Sequence, residues 1–560
     1  MTDLLGYDIH RYKAQATLFA TRPARIGLMN LELTGPRPQV IQINIWRNHS
    51  FEPIETLIGP YAAFGRWQGN FKYSDYDDSL AFSNRLPAQI EILWLDFSRY
   101  HHSTSFEPWL EWLTGRVKCL RGATSAPILL VSWTDSPVHS AAVQAALAAI
   151  TAAFFCDLGE LCAEAGVNLL DPRVSQVTGS PVGPSAQAVI ARKLACHWIP
   201  AAVLPPIKAI ALDLDNTLHA GVLGEDGVDG VLLGPGHRDL QNFLVGLRQR
   251  GIFLALVSRN NYADVENLFT CRGDYPLRWA DFSATEISWG EKADALRRVA
   301  EALRIATDAI VFVDDNPGEL ASVAAQLPHL HTVFAGDDPG VTLRALEYYP
   351  GCWRWKIEAA DGLRIADLEV NAEREKLLAE HSDLTAYYRS LNVTLNLRFD
   401  PADQVSRLAD LCRKTNQFNL ALRRLNEAEL VDRLERSDAC VASVQLSDRL
   451  SDSGVVAVVV GHRQGDSLLI EELCISCRAL GRKLEDTMVL EAIRRMPILA
   501  GCRTLAFQVD HGPRNHPALE WLARLLGLPD LPEPGLYQIP VQSFLATEPA
   551  EGVNISEESR

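Results

Sequence analysis

The stretch Ala211-Leu212-Asp213-Leu214-Asp215-Asn216-Thr217-Leu218 constrains this chain more than any other. The apolar run leading into it, Ile207 to Leu212, reads as a strand buried on both faces of a parallel sheet. It ends in two carboxylates two residues apart. In extended chain such residues point the same way, so Asp213 and Asp215 are expected to converge just past the strand's carboxyl end. Open α/β sheets take their ligands at that edge. Two acids brought together there repel unless a cation lies between them, which points to Mg²⁺ and phosphoryl chemistry. Taken on spacing alone, a surface turn rich in Asp is the plain alternative.

Three later segments repeat the pattern of a buried strand followed by a polar end. Ile252 to Val257 is a second apolar run, and it ends in Ser258, Arg259, Asn260 and Asn261. A small hydroxyl at such a place can donate to a phosphate oxygen. Ser288-Trp289-Gly290-Glu291-Lys292 opens a helical stretch, Ala293 to Leu303, and Lys292 can neutralise phosphate and nucleophile together. Ile310 to Val313 is a third strand, followed by Asp314, Asp315, Asn316 and Pro317. Proline suits the first turn of the helix that follows.

In this order the four segments resemble the motifs of the haloacid dehalogenase phosphohydrolases. The resemblance implies that Asp213 attacks phosphorus and forms an aspartyl phosphate. Asp215 then protonates the leaving oxygen and later activates water. Ser258 and Lys292 fall at the second and third motifs. Asp213, Asp215, Asp314 and Asp315 form the implied Mg²⁺ site, with Asp314 the more direct ligand.

The 560 residues have room for three or four domains, and a composition 47% apolar and 22% charged is that of a globular protein. The net charge of -17 argues against a nonspecific nucleic-acid binder. Eleven cysteines lie without paired or zinc-type spacing, apart from one Cys-x-x-Cys at Cys474 and Cys477. No signal-peptide pattern opens the chain and no apolar run is long enough to span a bilayer. The expectation is a soluble, reduced, cytoplasmic protein whose last residues, Thr547 to Arg560, fray.

Three globular parts are expected. The first, residues 1–200, has strand candidates at Val40–Ile45, Glu91–Leu95 and Pro127–Val131, and a long Ala-rich helix over Ser140–Glu164. Strands alternating with helices suggest a parallel α/β sheet. The second, residues 207–345, is the catalytic core. Residues 346–389 connect it to the third part and include a long polar helix, Ala366–Arg389. The third, residues 390–548, reads as an antiparallel sheet with helices packed on it. Its strands are Val393–Leu397, Val441–Leu446, Gly454–Gly461, Ser467–Leu473 and Thr504–Val509. Its helices are Pro401–Thr415, Glu427–Ser437, Lys483–Arg495 and Pro517–Leu526. The class is multidomain α/β.

Within the third part, Leu473 to Lys483 runs from a strand through a turn holding Arg478, Gly481 and Arg482 into a helix. Backbone amides at a helix start, reinforced by Arg, make an anion site. An acetyltransferase of the GNAT fold holds the pyrophosphate of coenzyme A this way, and a pantetheine arm suits it equally. An ordinary basic turn is the plain reading. Cys477 sits beside Arg478 and near Arg482, which would stabilise a thiolate able to accept an acyl group. Its plain reading is a small buried hydrophobe.

The chain as a whole resembles the FkbH-like proteins, a haloacid dehalogenase branch of polyketide and tetronate pathways. The residues that carry this are Leu212 to Leu218, Gly221 to Gly227, Phe312 to Pro317, Lys414-Thr415-Asn416-Gln417-Phe418-Asn419-Leu420 and Ser476 to Arg482. The resemblance implies an SGNH-hydrolase-like first domain and a GNAT-like third one. Trp46-Arg47-Asn48-His49 lacks the first domain's Gly-Asp-Ser nucleophile pattern, and no His follows two residues after Asp171-Pro172-Arg173. A non-hydrolytic recognition domain is expected. The implied activity takes a phosphoglyceryl group from 1,3-bisphosphoglycerate, dephosphorylates it and loads glyceryl onto an acyl carrier protein. Short gaps between the motifs leave only a small flap near Gly221–Gly230, so the site stays open to a macromolecule. The chain departs from the family at His219-Ala220-Gly221, where Trp-Gly-Gly is usual, at Val257 for Cys and at Arg259 for Lys. Val257 leaves Cys477 as the better acyl acceptor. A plain phosphatase with a docking module is the alternative, and a non-enzymatic scaffold for carrier proteins a third.

Overall fold

The computed structural model describes residues 2–33, 39–101, 105–174, 179–356, 359–381, 383–512 and 514–558. The chain is multidomain α/β and divides into two compact units, Met1–Lys356 and Ile357–Arg560. The first unit carries two parallel sheets of five strands. One orders its strands β2-β1-β3-β4-β5, from β1 (Gln39–Arg47), β2 (Trp67–Tyr76), β3 (Ile90–Trp94), β4 (Ile128–Ser132) and β5 (Ala153–Asp157). Every residue of β3 and β4 is buried, as expected where helices cover both faces.

Two features of this sheet differ from the sequence reading. The strand β2 was not expected, because its Gln, Asn, Lys and Ser residues break the apolar pattern, and the edge position makes that tolerable. The expected helix Ser140–Glu164 is two helices, Pro137–Ala148 and Leu158–Glu164, with β5 between them. Ala152 takes a left-handed backbone (φ +52°) and its carbonyl accepts from Ile128 N–H at 2.9 Å. The residues after it, Phe154 and Phe155, favour a strand. Asp157 then caps the new helix, its Oδ1 accepting from Gly159 N–H at 2.8 Å.

The second sheet orders its strands β10-β9-β6-β7-β8, from β6 (Ala209–Leu212), β7 (Phe253–Ser258), β8 (Phe282–Ile287), β9 (Ile310–Asp314) and β10 (His331–Phe334). The strand order grows one way from β6 through β7 to β8 and the other way through β9 to β10. The switch point therefore lies between β6 and β9, where a doubly wound sheet opens a crevice at its carboxyl edge.

Arg11, in the first helix (Thr2–Leu18), ties the two sheets' surroundings together. Its guanidinium is 1% exposed. It donates to Phe64 O at 3.1 and 3.0 Å, to Thr332 O at 2.7 Å and to the Tyr349 hydroxyl at 3.2 Å. Phe64 ends a helix of the first sheet and Thr332 lies in β10.

The second unit is one mixed sheet, ordered β17-β16-β15-β14-β13-β11-β18. Its strands are β11 (Thr394–Phe399), β12 (Phe418–Asn419), β13 (Ala439–Ser447), β14 (Asp452–Gln464), β15 (Ser467–Ile475), β16 (Thr504–Val509), β17 (Gly535–Pro540) and β18 (Asn554–Glu557). β12 pairs with the end of β15. β15–β16 and β11–β18 are parallel, and the other pairs antiparallel. The tail does not fray where described: β18 pairs with β11 from Thr394↔Asn554 to Leu397↔Glu557, closing an otherwise open edge. The single helix expected over Ala366–Arg389 is three, Ala359–Glu369, Asn371–Glu380 and Leu384–Leu391, the last capped by the Asp383 carboxylate; residues 357–358 and 382 lie outside those described. Among the described residues no helix is long and apolar enough to cross a membrane.

Replacing Arg11 by Met leaves buried carbonyls of Phe64 and Thr332 without donors. The substitution is expected to lower the unfolding free energy of the first unit by about 3 kcal/mol. Urea titration followed by circular dichroism reads this, and an unchanged midpoint would show that the guanidinium is not a tie.

Candidate active site

Four chain segments meet at the carboxyl edge of the second sheet. β6 and β9 are neighbours in register, Leu212 opposite Val313, and Asp213 N–H donates to Val313 O at 2.9 Å. Asp213 and Asp314 are therefore brought side by side by backbone pairing alone. Ser258 ends β7, the other neighbour of β6. Lys292 begins the helix Lys292–Ala302.

Lys292 Nζ lies between the two acids. It donates to Asp213 Oδ1 at 2.8 Å and to Asp314 Oδ2 at 2.6 Å. All three residues are buried, at 6%, 5% and 0% exposure for Lys292, Asp213 and Asp314. Burial pushes the Asp213 carboxyl upward; Lys292 opposes this and Asp314 adds to it. Asp314 moves the same way, raised by burial against the pull of Lys292 and of the Asn316 N–H at 2.8 Å. Burial by itself would lower the lysine, but the two carboxylates outweigh it and hold the ammonium charged. Asp315, half-buried, is raised by burial. Carboxylate oxygens of Asp213, Asp314 and Asp315 all lie within 4.8 Å of one another. An all-oxygen donor set of this kind fits a hard divalent cation.

Asp215 does not join that cluster, which corrects the expectation of convergence. The strand stops at Leu212, and Asn216 is left-handed at φ +52°, so the two-residue alternation of extended chain no longer governs. The Asp215 carboxylate instead faces the flap. Its Oδ1 accepts from Leu223 N–H at 2.9 Å and lies 3.4 Å from His219 Nε2, while Oδ2 accepts from Asn260 Nδ2 at 2.8 Å. Burial works to raise this acid, but those partners prevail and hold it below its ordinary range. The same Asn260 amide reaches Ser258 Oγ at 3.0 Å, so Ser258 and Asp215 share one orienting side chain.

His219 and Asn260 carry no role in the sequence reading. His219 is fully buried, with Nδ1 3.0 Å from the Tyr275 hydroxyl. Its position four residues after Asp215, at a departure from the family pattern, was the available signal. The flap is the short helix Leu223–Gly230, closed at its base by the bridge Ala220↔Leu232. Gly221 at φ +104° makes the turn, and its N–H donates to Asn216 Oδ1 at 3.0 Å. A Cβ there would meet Asp226 Oδ2 at 2.7 Å.

The expected anion cradle of the third part is not built. Arg482 is buried and ion-paired, donating to both Asp367 oxygens at 2.9 and 3.0 Å and to Asp448 at 3.3 Å. Gly481 N–H donates to Glu485 Oε1 at 2.8 Å. The helix starts at Glu485, after a left-handed Lys483, and places Glu485 and Asp486 in its first turn, which repels an anion. Arg482 is thus a structural charge, locked to Arg374 through shared Asp367 and Asp448. Cys477 is half-buried, whereas Cys474 is fully buried.

No protein-family model matches the chain, and no curated protein does. Among solved structures it is similar to the N-terminal part of a Bacteroides fragilis protein containing a phosphatase domain, complexed with Mg. The identity is 19% and the TM-score 0.46, over 60% of this chain and 99% of that one. A second likeness is to a fungal multi-domain β-N-acetylglucosaminidase with a GCN5-related glucosamine N-acetyltransferase region. Here the identity is 10% and the TM-score 0.18, over 94% of this chain and 67% of that one. Scores at this level carry no weight beside the geometry above.

A carboxyl raised in the folded state favours folding while protonated, and that contribution is lost as pH rises from the unfolded value through the folded one. In chelator, the stability of the wild type relative to Asp213→Asn, whose carboxyl burial pushes up to about 7, is therefore expected to fall between about pH 4 and 7, and added Mg²⁺ to flatten the slope. Urea midpoints of both proteins across that range test it; a difference that rises with pH would reverse the assignment.

Proposed function

We propose that this protein is a Mg²⁺-dependent phosphohydrolase of the haloacid dehalogenase type, with Asp213 as nucleophile. The observation that carries the reading is Lys292 held between Asp213 and Asp314 at the switch point of a parallel sheet. Such an arrangement keeps a carboxylate buried and ready while leaving oxygens for a cation. Asp213, Asp314 and Asp315 would hold Mg²⁺, which supplies charge neutralisation at the transferring phosphoryl group.

In the first half of the reaction an Asp213 oxygen bonds to phosphorus and the bond to the leaving oxygen breaks. Lys292 neutralises the nucleophile, and Ser258 Oγ, oriented by Asn260, donates to a phosphoryl oxygen. In the second half a water attacks phosphorus, Asp215 accepts its proton, and the Asp213–phosphorus ester opens to release phosphate. The hydrogen bonds on Asp215 keep it ionised in the resting site, which suits the water step directly. An alkyl phosphoester needs a proton on its leaving oxygen, but an acyl phosphate leaves as a carboxylate and needs none.

Asp213→Asn is expected to reduce phosphate release from acetyl phosphate by at least about a thousandfold. Chelator should abolish turnover and Mg²⁺ restore it. Full activity in the Asn variant would remove the nucleophile assignment.

A finer reading joins this chemistry to acyl transfer: the Cys477 thiolate attacks the acyl carbon of 1,3-bisphosphoglycerate and expels the 1-phosphate, the phosphohydrolase site hydrolyses the 3-phosphate, and the glyceryl passes by thioester exchange to the thiol of an acyl carrier protein for polyketide or tetronate assembly. Its support is the order of the FkbH-like motifs, the small flap in place of a cap domain, and the partial exposure of Cys477. In this reading an SGNH-like first domain serves recognition and the GNAT-like third one transfer, in a cytoplasmic enzyme. Incubating the chain with Mg²⁺, 1,3-bisphosphoglycerate and a phosphopantetheinylated carrier protein should add one glyceryl mass to the carrier, and Cys477→Ala should stop this while sparing phosphate release from acetyl phosphate. No mass gain on the carrier leaves the plain phosphatase.

A further inference from the structure

A second cluster lies in the other unit, with different chemistry. Glu472 and Cys474 are two residues apart on β15, and so face the same side. Cys412, in the helix Val405–Lys414, packs onto that side. All three are buried, Glu472 and Cys474 at 0% exposure. The carboxylate oxygen and the two sulfurs lie within 4.8 Å of one another.

The surroundings are apolar: Leu408, Leu411, Leu425, Val441, Val458 and Val460. An isolated acid in such a place is costly unless it is neutralised or paired. Its neighbour in sequence shows the usual answer. Glu471, on the opposite face, is paired with Arg433 at 2.9 Å and Arg423 at 3.4 Å. No ion pair to Glu472 is found among the described residues. Its Oε1 accepts from Asn419 Nδ2 at 2.7 Å and from the Cys474 thiol at 2.8 Å. Its Oε2 is buried and has no hydrogen-bond partner. Burial pushes the carboxyl up to about 7 against the pull of Cys474, Asn419 and the Arg423 and Arg424 N–H groups, none of which reaches bonding geometry on Oε2.

We propose that Cys412, Glu472 and Cys474 form a metal site for a borderline-soft divalent cation of the Zn²⁺ class. Two sulfurs and one carboxylate oxygen are ligands of that class, and they exclude Mg²⁺, which takes oxygen donors. A tetrahedral ion with Zn–S bonds of about 2.3 Å needs the sulfurs about 3.8 Å apart, inside the 4.8 Å within which the three ligand atoms lie. Both thiols release their protons on binding, and the unpartnered carboxylate oxygen gains its missing cation. Asn419, holding Oε1, orients the carboxylate from outside the ligand set. Three protein donors leave one position on the ion for a non-protein ligand. This inference does not rest on the phosphoryl chemistry of the other unit.

The test is a Co²⁺ titration of the chelator-treated full chain, with excess Mg²⁺ present to occupy the acids at Asp213, Asp314 and Asp315. The expected result is one equivalent of Co²⁺ with near-ultraviolet thiolate-to-metal absorption. That band should be lost in Cys412→Ser and in Cys474→Ser and kept in Cys477→Ser. Glu472→Gln should weaken Co²⁺ binding at least about tenfold while keeping the fold by circular dichroism. Absence of thiolate absorption in the wild type overturns the proposal and leaves a protonated, metal-free hydrogen-bonded cluster. A band that survives both serine changes, or is lost only in Cys477→Ser, also overturns it.

Discussion

Lys292 Nζ, between Asp213 Oδ1 and Asp314 Oδ2, holds three buried charges in a space that would otherwise repel two of them. Removing the lysine would leave two carboxylates desolvated side by side, which folding does not tolerate cheaply. The arrangement depends on the sheet. β6 and β9 are placed next to each other only because the chain reverses its direction of growth between them. Their carboxyl ends then deliver the acids, and the helix Lys292–Ala302, between β8 and β9, delivers the ammonium.

The second acid of the Asp-x-Asp pair has a separate environment. Asp213 sits in a dry cation–carboxylate cluster, while Asp215 sits under the flap among hydrogen-bond donors. One is pushed up by burial and the other held down by its partners. Two carboxylates two residues apart are thus driven in opposite directions by their surroundings. The structural device that separates them is the left-handed Asn216, whose side chain also receives the flap at Gly221.

In the second unit, charge is handled by mutual burial. Arg374 and Arg482 share Asp367 and Asp448, so basic residues that looked available in the sequence are already neutralised. The same unit leaves Glu472 without a cation, next to two thiols. The contrast between neighbouring Glu471 and Glu472 follows from strand alternation: one face of β15 meets arginines, the other a sulfur-bearing helix.

The sequence alone determined the three central strands of the second sheet. Ala209–Leu212, Ile252–Val257 and Ile310–Val313 are apolar throughout, as strands covered on both faces must be, and each ends in the polar residues found at the sheet edge. It did not show β5, which the five residues after a left-handed Ala152 form inside an Ala-rich stretch, nor the division of Ala366–Arg389 into three helices. Tertiary structure alone decided which charges remain available. Arg482 reads as an anion ligand until Asp367 is seen against it, and Asp215 reads as a metal ligand until Asn260 and Leu223 are seen around it. Local periodicity is set by the residues within a turn or two. The partner of a buried charge comes from tens of residues away, and only the folded chain brings it there.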